Sequence, residues 1–396
     1  MKAIDVHSQS VGRAGTWTLR HFPFLKGWIQ RLAQRYAARA LDSYMRGDLV
    51  AAELDYCEAL QWQPDNPKFH SDLGQVYLEQ DKVEEAEKQF EKALEYDYKN
   101  LRALKGLGSL LQVKGDSARA MYLYLRYMEI EARDSLILHN LGAIFHNMGN
   151  YSEALEYYTR ALKEEPDDVF ILKNQALTLI ADRRPAEAKE ILLRAAELDS
   201  EDDSIDRMLA SIFETENNDE KALEYYRSAI KKDPDDPETH LQLAFLYSTR
   251  KDFRKTAEHA EEAGKLFVNS GDYGGAAQAY WELGWDYYIL KELQKSLAAS
   301  EQSLRFNANQ GPVYFNLGLV LLHLGREAEA RKRYEDGIQN LSQISDLKYY
   351  AIDDLCDALK ENPNLKGGRE ILSMLEKRYT ATSQQIAAES SSPLLA

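Results

Sequence analysis

Apolar and small residues return along this chain every 34 positions. From Leu141-Gly142 the pattern recurs upstream at Leu107-Gly108 and Leu73-Gly74, and downstream at Gln175-Ala176, Leu209-Ala210 and Leu243-Ala244. After a slip of six residues it resumes at Leu283-Gly284 and Leu317-Gly318, and a degenerate first copy begins near Ala33. A fixed period of this length marks a stacked repeat array in which each copy is one supersecondary unit. The spacing inside each copy predicts two antiparallel helices.

The reason lies in side-chain size. Counting each copy from its own first residue, position 8 is Gly or Ala throughout, from Ala40 to Gly318, and position 20 is Ala except at Thr256 and Ser296. Helices approach closely only where facing side chains are small. Bulky residues such as Tyr77 and Phe90 are expected to fill the space around that contact. Asp65-Asn66, Asp167-Asp168 and Asp235-Asp236 supply N-caps for the helix that follows, and Pro185 suits a first helical turn, where its missing N–H costs nothing.

The fourth copy carries Leu138, Leu141, Gly142, Phe145, Gly149, Ala154, Tyr158, Ala161 and Pro166 in phase. This pattern resembles the tetratricopeptide repeat (TPR) family over roughly residues 33–344. The resemblance implies an all-α fold, a right-handed superhelical solenoid of antiparallel helix pairs. It divides the chain into a basic N-terminal segment at 1–32, units one to seven at 33–270 and an insertion read as a longer turn at 271–276. Units eight and nine follow at 277–344, then capping helices at 345–380 and a disordered tail at 381–396. Arg39 and Ser43 depart from the pattern in the first unit, which is expected to act partly as a cap.

Charge narrows the class of partner. The chain has a net charge of −16, which argues against nucleic acid. Residues 1–40 run the other way, with seven Lys/Arg against Asp5. Cys57 and Cys356 form neither a disulfide framework nor a metal spacing. No signal-like apolar run or spanning segment stands out. The reading is cytoplasmic, with peripheral membrane contact through residues 17–41 left open. In that stretch Leu25, Trp28, Ile29 and Leu32 share one side of a basic amphipathic helix, which either caps the array or lies on an anionic membrane.

Catalytic chemistry finds little support. Gly106-Leu107-Gly108-Ser109 is the repeat's own Leu-Gly rather than a phosphate loop, lacking a strand and a Lys-Ser/Thr. His139 and His146 stand two helical turns apart, and a metal needs more ligands. The reading is non-enzymatic, without cofactor or metal.

What the resemblance implies is a groove lined by the first helix of each unit, at positions 2, 5, 6, 9 and 12. Those positions place Lys105, His139, Asn140, Lys173, Asn174 and Arg207 as a row of donors facing partner peptide, acidic segments included. Asn140, Asn174 and Asn316 are similar to the asparagine ladder of O-linked N-acetylglucosamine transferases. A chaperone-tail clamp matches only at Lys105 and Asn140, with Ser109, Phe170 and Asn174 departing from it. Trp281, Trp285, Tyr288 and Phe315 read either as an aromatic anchor pocket or as packing for the C-terminal helices. The expected function is a protein-interaction scaffold or adaptor that takes partner segments in its groove. The alternatives are a co-chaperone or secretion-type chaperone, and a regulatory or assembly subunit of an enzyme or membrane-associated complex.

Overall fold

A computed structural model describes residues 23–391, and the regular elements among them are all helical. Expectations for residues 1–22 and 392–396 lie outside the described residues. The chain divides into two compact units, residues 1–191 and 192–396.

In the first unit the helices are α1 (Pro23–Met45), α2 (Leu49–Trp62), α3 (Pro67–Glu79), α4 (Val83–Tyr96) and α5 (Leu101–Val113). They continue with α6 (Ser117–Met128), α7 (Ser135–Asn147), α8 (Tyr151–Glu164) and α9 (Val169–Ala181), while α10 (Pro185–Leu198) carries the division. Consecutive helices pair as hairpins, and first helices of successive repeats touch, as α7 and α9 do. The close contact differs in detail from small-on-small. A Cβ on Gly142 would come within 2.7 Å of the Tyr158 ring, and one on Gly108 within 2.5 Å of Tyr124. At Gly74, Gly108 and Gly142, position 8 is small because it receives an aromatic knob from position 24 of its own hairpin.

The turn inside each hairpin needs a left-handed residue. Gly115 and Gly149 supply it at φ 83° and 78°, while Asp81 and Arg183 adopt φ 59° and 60° at the same place. The anticipated caps are present: Asn66 accepts from Lys68 N and Phe69 N, and Asp168 from Ile171 N. One boundary moves. Residues 23–45 form a single helix burying Ala33 and Ala40, so the sequence boundary at 32/33 falls inside α1. Trp28 stays 55% exposed, its ring edge-on to Trp62.

The second unit comprises α11 (Asp203–Thr215), α12 (Asp219–Lys232), α13 (Pro237–Thr249), α14 (Phe253–Ser270), α15 (Tyr273–Ile289), α16 (Leu293–Phe306), α17 (Gly311–His323) and α18 (Glu327–Gln339). The six extra residues do not make a longer turn. They lengthen two helices, α14 to 18 residues and α15 to 17, against 13 and 14 in α11 and α12. The turn stays tight because Gly271 takes φ 80° and Asp272 accepts from the Gly274 and Gly275 N–H groups. Beyond α18 come α19 (Ile344–Leu347), a π-helical stretch (Lys348–Asp353), α20 (Asp354–Glu361) and α21 (Gly368–Ser391). Helix α21 runs past residue 380, where the sequence reading placed a disordered tail; its Ala, Gln and Glu residues favour continued helix.

Candidate interaction face

Within the first unit, α5, α7 and α9 each follow an Asn or Asp cap, which fixes their starts and their rotational phase. The phase brings His139, Asn140 and Asn174 together. Asn174 Nδ2 lies 3.2 Å from His139 Nε2 and donates to it. The imidazole hydrogen is then on Nδ1 and donates to Asn140 Oδ1 at 3.3 Å. Asn140 Nδ2 donates in turn to the Tyr124 hydroxyl at 3.2 Å, and that hydroxyl donates to Gln112 Oε1 at 3.0 Å. Burial pulls the His139 imidazole below its ordinary range, outweighing Asn140 and Asp168. A neutral ring is what this chain of bonds requires. Beside it His146 Nδ1 donates to Thr178 Oγ1 at 2.9 Å, so the two histidines serve separate ties.

The expected cationic row is arranged differently. Lys105 Nζ lies 2.9 Å from Asp134 Oδ2, and Asp134 is the N-cap of α7. In the second unit Arg207 pairs with Asp236, the N-cap of α13. Both cations are therefore spent on the cap of the following repeat. Lys173 is half-buried and engaged with a neighbour.

Sequence reasoning passed over the apolar residues here. Leu136 and Phe170, the second residues of α7 and α9, are 47% and 60% exposed, and Leu177 is 44% exposed. The Phe170 ring centroid stands 4.8 Å from that of His139. Their signal was available: large apolar side chains at groove positions 2 and 9.

In the second unit the structure buries Tyr288 and Phe315 of the aromatic set and leaves Trp281 and Trp285 half-buried. Phe315, Tyr288 and Asn316 are 0%, 7% and 5% exposed. Tyr288 and Phe315 share a core with Leu347, Ala351, Ile352 and Leu355, and Trp285 packs against it. Trp281 meets the Tyr350 ring edge-on at 5.8 Å. The C-terminal helices cover this stretch, the second of the two readings above. Among the described residues no cluster of three or more His, Cys, Asp or Glu could hold a metal ion. No helix there is long and apolar enough to cross a membrane.

The tetratricopeptide repeat family matches residues 135–168, and two further forms of that repeat match 44–111 and 173–237. No curated protein matches the sequence. Among solved structures, a tetratricopeptide repeat protein from Parabacteroides merdae is similar at 17% identity and TM-score 0.49, covering 60% of this chain and 93% of that one. The pilF protein of Pseudomonas aeruginosa is similar at 22% identity and TM-score 0.45, covering 52% and 95%. YrrB, described as a TPR protein with an unusual peptide-binding site, is similar at 20% identity and TM-score 0.43, covering 50% and 97%. With its helix hairpins in 34-residue register and three matches to the repeat, this chain is a tetratricopeptide repeat protein.

Proposed function

We propose that the protein is a non-catalytic scaffold that captures an extended segment of a partner protein on the first-helix face of residues 101–181. The observation that carries this reading is the linked series Asn174, His139, Asn140 and Tyr124. The network leaves Asn174 Oδ1 and the second Nδ2 hydrogen of Asn140 to pair with a peptide backbone, and holds them ready at low entropic cost. An extended segment leaves its backbone groups free for such pairing.

Affinity capture with the intact chain, compared with an Asn140→Ala/Asn174→Ala variant, tests the reading. A defined partner should be depleted about tenfold in the variant, as expected from losing about two hydrogen bonds, with unchanged helicity by circular dichroism. Full retention of every captured protein removes this face from the account.

A further inference from the structure

The chemistry of the captured segment follows from what α7 and α9 carry. Helix α7 has no Lys, Arg, Asp or Glu, and α9 has Lys173 alone, in a chain that is 29% charged. Lys173 has an interaction of its own within the protein, and the neighbouring Lys105 is held by Asp134. The ring of His139 is neutral in its hydrogen-bonded form. An acidic segment would therefore meet no unspent cation on these two helices, and would lose hydration without repayment.

What the face offers instead is apolar surface flanked by amides. Leu136 and Phe170 occupy the same place in consecutive repeats and stand open to solvent. Large exposed apolar side chains grouped on one face mark an interaction site. Packed helices lie about 8–10 Å apart, and a polyproline II segment repeats its side-chain direction about every 9 Å, or three residues. Helices α7 and α9 are in contact, so the spacing expected between their equivalent positions is comparable with that repeat.

We infer that the occupant is an uncharged, extended segment with apolar side chains three residues apart. These contact Leu136 and Phe170 while the backbone pairs with Asn140 and Asn174. This deepens the capture reading and rests on it.

The test uses the full chain and three dye-labelled nonapeptides, read by fluorescence anisotropy. One has three Leu-Pro-Ser repeats, one three Asp-Pro-Ser repeats, and one the residues of the first with its leucines adjacent. The spaced leucine peptide should bind about tenfold tighter than either other, the gain expected from burying one or two more apolar side chains. Its affinity should change less than about twofold between low and high salt, as screening predicts for an uncharged contact. A Leu136→Ser/Phe170→Ser variant should lose that binding and keep its melting temperature, because both side chains are exposed. The inference is overturned if the aspartate peptide binds as well, if none of the peptides binds, or if the variant binds normally. It is also overturned if these two side chains instead mediate self-association, seen by sedimentation and abolished in the variant. A partner lost from Asn140→Ala/Asn174→Ala but kept by Leu136→Ser/Phe170→Ser would leave peptide capture standing and remove only this inference.

Discussion

Asp134 holds Lys105 at 2.9 Å through one carboxylate oxygen while the other accepts the Ile137 N–H at 3.2 Å. One side chain thus caps a helix and ties it to the previous repeat, and Tyr127 donates to it as well at 2.7 Å. Burial raises the cost of this carboxylate, yet the bonds from Lys105, Tyr127 and Ile137 prevail and hold its pKa below the usual range. A depressed pKa adds stability that is present above the unfolded value, near 3.8, and is lost as pH falls from there through the lowered folded value. Replacing Asp134 with Ala should cost about 1–2 kcal/mol, the range for a lost N-cap. Lys105→Glu should also lower the melting temperature. Denaturant unfolding of both variants checks this, and a Lys105→Glu variant of native stability would contradict it.

The Gly142 contact makes a second prediction. A methyl group there has no room beside Tyr158, so Gly142→Ala should destabilise by about 1–3 kcal/mol despite Ala's better helix propensity. Gly149, in the turn with open space around it but φ 78°, should also lose stability as Ala, for backbone reasons alone. A Gly142→Ala/Tyr158→Leu double variant separates the two mechanisms: it should recover part of the loss, because only Gly142 is limited by a ring.

In the second unit Asp286 is fully buried, and neither carboxylate oxygen has a hydrogen-bond partner. The same repeat position holds Leu246 and Val320 in the neighbouring hairpins. Burial, with a smaller push from Glu282, raises its pKa to about 8. The folded state then holds a proton that the unfolded chain releases near pH 4, so stability is present below pH 4 and drains away as pH rises toward 8. Asp286→Leu should stabilise the protein by about 2–4 kcal/mol at neutral pH, the scale of an unpaired buried polar group. Thermal unfolding at pH 5 and pH 8 should find the gain larger at pH 8.

His240 and His259 supply the opposite slope. His240 Nε2 donates to Pro234 O at 3.2 Å, leaving Nδ1 to accept from His259 Nδ1 at 3.1 Å. Burial, with His240, Arg227 and Lys255 adding repulsion, pushes His259 down to about 4. Its contribution is present above pH 6.5 and lost as pH falls toward 4. Gln89 stands at the matching place opposite His70, which binds Pro64 O in the same way. A His259→Gln variant should therefore fold and show a shallower loss of melting temperature between pH 6.5 and pH 4.5.

The hairpin array was legible because small residues in 34-residue register leave no other packing. Legibility failed where two solutions satisfy the same pattern. The Gly-rich stretch around Gly271 could have opened a loop, but Asp272 caps α15 at once and the surplus residues go into helix. Lys105 and Arg207 sit at groove positions, yet their partners lie 29 residues ahead, a pairing that repeat phase alone does not reveal. The aromatic set from Trp281 to Phe315 fits two readings by pattern alone, because the packing of Leu347, Ala351 and Leu355 against Tyr288 and Phe315 lies beyond the repeat register.

Site-specific photo-crosslinking measures partner capture where it is claimed. A photoreactive residue replaces Leu177, on α9, or Tyr122, exposed on α6. Adducts of one defined mass should form from Leu177 and be absent from Tyr122. Adducts from Tyr122 alone, or from neither position, would contradict the account.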